Sequence, residues 1–478
     1  MSRPFDRRLG LILGGVLVLI CAVRLLAPAG VRALTPPNGA AATLVLGQPS
    51  FSQNTPDTTQ NRFYAPQDVA VDPVSGNVFV SDTLNNRVLR FGSTTALANG
   101  AAAEVVLGQE TFADNASACT ATGMSNPAGI AVDSAGALWV ADSGGNRVLR
   151  FHSAATLNNG ASASGVLGQP DLTTCDSTAS PTASTLANPG DVAVDNAGRL
   201  WVADTGGNRV LRFDQAASKV DGAAADGVLG QSTFGTGDGG ATQSTFRQPL
   251  GIAADASGTL WVSDANNSRV LRFANAAAKA NGANADGVLG QSTFTGTSPA
   301  TGANGMSYPA QIAVEPASGR LWVVDPGSNR LLRFDNAASK ANGAAADGVL
   351  GQSTFLGAGT GTSATTFTSP FGVGYDAARD VVWVADAGNS RALRFGTPAT
   401  PTVTPATTPT HTPTGTTTAT PTSTSTPTSA TTAPPTSTST PTSATTATVP
   451  PAPTGTSTPT AIVPVVRPQI YLPAIRAP

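Results

Sequence analysis

Residues 201–213 read WVADTGGNRVLRF, and the chain repeats this segment at 79–91, 139–151, 261–273, 322–334 and 383–395. The shared aspartates, Asp82, Asp142, Asp204, Asp264, Asp325 and Asp386, are spaced by 60 to 62 residues. All five tryptophans occupy one register of the repeat, with Phe79 in the remaining copy. Self-similarity at a fixed period makes the chain an array of like modules, each of which buries its apolar face only against neighbours.

The repetition also decides how one motif is read. Asp204-Thr205-Gly206, with Asp142-Ser143-Gly144 upstream, has the form of the two halves of an aspartic protease site. Its other equivalents are Asp82-Thr83-Leu84, Asp264-Ala265-Asn266, Asp325-Pro326-Gly327 and Asp386-Ala387-Gly388. A protease needs two carboxylates sharing one proton, whereas one aspartate in each of six modules is held apart from the rest. Each is expected instead to end a strand and cap the following turn through its side-chain oxygen.

Each module reads as four short strands. In the second, GIAVD at 129–133 is apolar, and Asp133-Ser134-Ala135-Gly136 signals a hairpin into a strand at 138–141. A turn at 143–146 then leads to the alternating strand 147–151. The fourth strand is Val-Leu-Gly-Gln, starting at Val45, Val106, Val166, Val228, Val288 and Val349. The copy at Val45 has no module of its own before it, and the third strand at 391–395 has no fourth after it. If the array closes, the N-terminal strand completes the last module and no open edge remains. The expected fold is all-β: a six-bladed β-propeller of four-stranded antiparallel blades.

PAGIAVDSAGALWVADSGGNRVLRF at 127–151, with its five relatives, resembles the NHL repeat, whose modules build six-bladed propellers. The resemblance covers 43–396, within a propeller domain expected at 35–396. The modules run to about 61 residues against the 40 to 45 typical of propeller blades. The excess lies after each third strand, as at 335–347, and after each fourth, as at 111–126, on opposite faces of the disc.

Repeated residues read as scaffold. Arg87, Arg147, Arg209, Arg269, Arg330 and Arg391, and the arginines three residues on from each, are expected to pair with the recurring aspartates. Phe51, Phe112, Phe234, Phe294 and Phe355, with Leu172 in the sixth copy, read as packing between blades. Residues that break the repeat are the functional candidates. Where the first strand begins, blades two, four and six carry Gly129, Gly251 and Gly372, while blades one, three and five carry Asp68, Asp191 and Gln311. Facing a central channel, these three side chains would form a ring able to hold calcium or another divalent cation through oxygen; the alternative is a water-filled channel with incidental polar substitutions. Tyr64, Arg247 and Tyr308 have no repeated counterpart and suit ligand recognition on a rim, against a reading as ordinary loop residues.

The ends of the chain carry other signals. Arg3, Arg7 and Arg8 precede an apolar run at 9–23 and small-residue sites at 27–29 and 31–33, so 1–34 reads as a signal peptide or an uncleaved N-terminal anchor. Ile20 before Cys21 argues against lipidation. Residues 397–461 are Thr, Pro and Ser with alanine, a composition expected to form a disordered stalk. The tail 462–478 contains Gln-Ile-Tyr-Leu-Pro at 469–473 and resembles short sorting tags. Export permits oxidation, and a disulfide is expected between Cys119 and Cys175, on long loops of adjacent blades and on one face.

A net charge of -2 offers no basic field for nucleic acid. Amidating lyases on similar repeats use histidine-bound zinc, and this chain has only His152 and His411. A gluconolactonase-type propeller uses carboxylate and amide ligands, which Asp68, Asp191 and Gln311 would imitate. The sequence therefore points to a monomer, secreted or at the cell surface, that acts as a non-catalytic protein- or glycan-binding module without a required cofactor. Membrane contact would come only through an uncleaved N-terminal segment. Two alternatives stand beside this: a metal-dependent hydrolase or lactonase-like enzyme at the channel mouth, and a structural component of the cell envelope.

Overall fold

The computed structural model describes residues 35–396, and the expected signal segment, stalk and tail lie outside the described residues. The first strand, β1 (Leu44–Leu46), pairs with the far end of the chain, Arg391–Phe395, in the register Leu44 to Arg394 and Leu46 to Ala392. It completes a sheet whose other members are Gly372–Asp376 and Val381–Asp386. The other blades are contiguous in sequence. In the first, β2 (Asp68–Val71), β3 (Asn77–Asp82), β4 (Arg87–Ser93) and β5 (Val105–Leu107) lie side by side in chain order, all antiparallel. Six such four-stranded sheets close the ring, and the described residues form an all-β, six-bladed propeller.

The clasp involves more than one strand. Asn38 accepts the Val349 N–H at 3.0 Å, just as Asn99 accepts that of Val45 and Asn159 that of Val106. The segment before β1 therefore also supplies the loop by which each blade grips the fourth strand of the one before. Thr43 Oγ1 donates to the Gly396 carbonyl at 2.7 Å, so the chain enters and leaves the propeller at neighbouring points on one face. The long loops that follow each fourth strand lie on the opposite face.

The cores sit between blades. Trp139, Val148 and Leu167 of the second blade pack with Val192, Val202, Leu211 and Phe213 of the third. The indole N–H groups of Trp139 and Trp201 donate to Asp133 and Asp195 at 3.1 Å, and Trp322 donates to Glu315 at 2.9 Å. In these three blades the hairpin acid thus fixes the ring that fills the space between blades, whereas Trp383 donates to Thr94 Oγ1 at 3.0 Å.

The recurring aspartates end their strands as expected but do not cap the turns that follow. In the five blades where a 3₁₀ turn follows, the aspartate makes no capping bond to it. In Asp204, Oδ1 accepts the Ala187 N–H at 2.7 Å just before the inner strand, and Oδ2 accepts Arg209 Nε at 2.7 Å. Aspartate and arginine are cross-strand partners, so one carboxylate oxygen is taken by the guanidinium and the other by the N–H before the inner strand, and neither is left for the turn. The remaining guanidinium nitrogens of Arg209 donate to the carbonyls of Phe234 and Thr185, both in long loops. The same ion pair recurs at 2.7 to 2.8 Å in every blade, with all twelve side chains buried.

The arginines three residues on do not pair with these aspartates. They reach the neighbouring blade instead: Arg90 donates to the Ala155 carbonyl at 2.6 Å, Arg150 to Ala217 at 2.8 Å and Arg394 to Thr94 at 2.7 Å. The register places the first arginine opposite the aspartate and the second opposite the aromatic residue three positions earlier, as Arg209 faces Asp204 and Arg212 faces Trp201, so the second reaches over the next blade's loop.

Replacing Arg209 by Met leaves Asp204 buried without its counter-charge. We expect a loss of about 3–5 kcal/mol of unfolding free energy, measured by urea denaturation of the full chain.

Candidate functional site

The inner strands bring Asp68, Asp191 and Gln311 together around the channel, where they line a cavity of ≈ 170 Å³. All three are buried. Asp68 Oδ1 accepts the Val69 N–H at 2.7 Å and Oδ2 the Ile130 N–H of the second blade at 2.8 Å. Asp191 repeats this with Val192 at 2.8 Å and Ile252 of the fourth blade at 2.9 Å. Gln311, with its carboxamide nitrogen turned toward acceptors, donates to Asp68 Oδ1 at 2.5 Å and to the Gln67 carbonyl at 3.2 Å. The four carboxylate oxygens of Asp68 and Asp191 therefore each accept an N–H group. Among the described residues, no set of three His, Cys, Asp or Glu side chains is arranged to hold a metal ion.

The glycines on alternate blades have a steric cause. A Cβ on Gly129 would meet Asp191 Oδ1 at 2.0 Å and its Cα at 2.5 Å. At Gly251 it would meet the Ala310 carbonyl oxygen at 2.4 Å, and at Gly372 the Gln67 carbonyl oxygen at 2.2 Å. Glycine blades thus admit the next inner strand closely, and the two aspartate blades tie to the following blade by carboxylate. Burial pushes the Asp68 carboxyl up to about 7. Burial and then the charge of Asp68 hold Asp191 well above the usual carboxylate range.

The rim candidates do not converge. Tyr64 and Arg247 occupy one register on the first and fourth blades, where their N–H groups donate to Asp82 and Asp264 at 2.6 Å. Tyr308 stands one residue further on, in the fifth blade. Its register is left-handed in all six blades: Ala65, Asn126, Asn188, Gln248 and Ser369 have φ of 45° to 54°, and Tyr308 has 62°. A bulky side chain is an uncommon occupant of that region. Tyr308 packs against Leu250, Ala265, Ala310 and Phe371, and burial raises its hydroxyl pKa.

Arg247 faces a larger space. It lines a cavity of ≈ 650 Å³ on the long-loop face together with Gln248, Asn266, Asn267, Gly240 and Thr297. Sequence reasoning singled out the arginine and passed over the carboxamides, because Asn267 belongs to a turn that looks like scaffold. On the same face Cys119 and Cys175 are joined, with Cα atoms 6.2 Å apart, and tie the long loops of the second and third blades.

The model of the NHL repeat matches residues 63–91, 124–151, 186–213 and 246–273. The chain carries NHL repeats. The matched segments run from the residues just before each inner strand to the end of the third strand in blades one to four, and the last two blades of this NHL propeller have the same strand order. Solved structures similar to it include a streptogramin B lyase, at 14% identity over 72% of this chain and 95% of that one, with a TM-score of 0.39. A Bacteroides thetaiotaomicron protein of unknown function is 16% identical over 73% of this chain and 74% of that one, with a TM-score of 0.45. A gluconolactonase from Xanthomonas campestris is 14% identical over 75% and 94%, with a TM-score of 0.43. These likenesses say nothing of activity. No curated protein matches the chain.

Two tests follow from the channel of the NHL propeller. Gly129→Ala is expected to cost about 1–3 kcal/mol or more through overpacking, and Asp191→Ala about as much for each N–H it orphans, both read by urea denaturation. The raised carboxyl pKa values mean that the native state holds protons the unfolded chain releases. The stability this lends is complete below about pH 4 and is lost as pH rises through about 7. Wild type should therefore lose stability relative to Asp68→Asn across that window, measured by unfolding at each end.

Proposed function

We propose that this chain is an exported, non-catalytic binding propeller whose long-loop face holds the ligand. The observation that carries this reading is the placement of the Arg247 cavity. The propeller is entered and left on one face, and the cavity lies on the other, among loops held by buried guanidinium groups. Variable loops on a rigid frame are a common seat of recognition. The channel carboxylates support the same reading, because their bonds to backbone N–H groups account for their burial without a reaction.

The test is an array of glycans and peptides probed with the full chain. At least one ligand class should bind, with binding weakened by Arg247→Ala and unchanged by His152→Ala, an exposed residue on the opposite face. A stoichiometric divalent ion in the purified chain, together with lactone or ester turnover that Asp68→Asn abolishes, would replace this reading by the lactonase-like one.

A further inference from the structure

The Arg247 cavity has a polar group that the repeat leaves without a partner. In the first and last blades a buried asparagine, Asn85 or Asn389, follows the recurring aspartate by three residues. Its carboxamide nitrogen donates to that aspartate and to a loop carbonyl, and its oxygen accepts a threonine hydroxyl: Thr58 to Asn85 at 2.8 Å, Thr362 to Asn389 at 2.9 Å. Asn267 is the equivalent in the fourth blade, 2% exposed, and its nitrogen donates to Asp264 Oδ2 and the Gly240 carbonyl at 2.8 Å. Two acceptors fix the nitrogen's side and so turn the oxygen the other way. The residue in the threonine register is Ala241. Among the described residues nothing donates to Asn267 Oδ1, and both Ala241 and Asn267 line the cavity.

The neighbouring groups complete a pattern. Asn266 Nδ2 donates to Gln248 Oε1 at 2.7 Å, which leaves Asn266 Oδ1 as an acceptor and Gln248 Nε2 as a donor. The exposed Arg247 guanidinium makes no hydrogen bond or ion pair with the described residues. The wall has one cationic side chain, two carboxamide acceptors and no large apolar side chain. Peptide partners are held mainly by apolar or aromatic anchors in pockets, which this wall does not provide. A ligand that satisfies it carries hydroxyl donors close to an anion of a shape suited to a guanidinium fork.

We infer that the cavity binds a carboxylated sugar: the uronate carboxylate pairs with Arg247, and ring hydroxyls donate to Asn267 Oδ1 and Asn266 Oδ1. This rests on the reading of the long-loop face as a recognition surface. Alanine at 241, where the first and last blades carry a threonine, leaves the site open, and a threonine there would close it.

Isothermal titration of the full chain with trigalacturonate, a neutral galactose trisaccharide and triglutamate tests the inference. Trigalacturonate should bind saturably and at least about tenfold more tightly than either of the others, and Arg247→Gln should weaken it by about tenfold or more. Ala241→Thr should weaken it comparably while leaving the melting temperature unchanged or higher, since its hydroxyl takes the place that Thr58 and Thr362 hold in sister blades. No binding of trigalacturonate, or binding indifferent to both variants, overturns the assignment. If triglutamate binds as well and responds to Arg247→Gln, the sugar assignment falls while the recognition surface stands. If no probe binds and no arrayed ligand responds to Arg247, both fall.

Discussion

The propeller depends on one interaction made six times: a buried carboxylate facing a buried arginine across adjacent strands. Such a pair is a weak source of stability in itself, because desolvation offsets much of the attraction. Its effect here comes from the geometry of the guanidinium. One nitrogen binds the aspartate, and the others bind carbonyls of the long loops, as Arg269 does at Thr242 and Thr245, each at 2.9 Å. Loops of this length without regular structure are uncommon in compact domains unless something holds them. The ion pairs are thus the means by which a rigid ring fixes an irregular face.

A second constraint acts at the axis. Inner strands approach too closely for a Cβ at Gly129, Gly251 and Gly372, and Asp68 and Asp191 bridge to the following blades. The ring therefore has a threefold alternation inside its sixfold repeat. The same constraint explains carboxylates buried at an axis with no counter-ion beside them: each accepts two backbone N–H groups that the inner strands leave unpaired.

Much of the fold is legible from periodicity. The 60-residue register located every blade, and the unmatched strand at Val45 foretold ring closure, because an orphan strand and an orphan edge have one economical solution. Partners that depend on backbone were not legible. Nothing in the letters distinguishes an aspartate that caps a turn from one that reaches a preceding N–H, or an arginine that meets a carboxylate from one lying over the next blade's carbonyls. The convergence of Asp68, Asp191 and Gln311 could be read from their alternation with glycine, whereas their amide partners could not. At the cavity, Arg247 stood out as a residue without a repeated counterpart. Asn267 did not, since its signal is the absence of a threonine at Ala241, visible only when the loops of sister blades are aligned.

The central claim is that the long-loop face of the fourth blade is where the ligand sits. Hydrogen–deuterium exchange of the full chain, with and without a saturating acidic trisaccharide, tests it most directly. The account predicts protection confined to segments 237–248 and 264–268 and to the neighbourhood of Thr297, with the channel strands and the opposite face unchanged. Protection at the inner strands 68–71 and 191–194, or at the opposite channel mouth around Val71, Val132 and Val194, would contradict it.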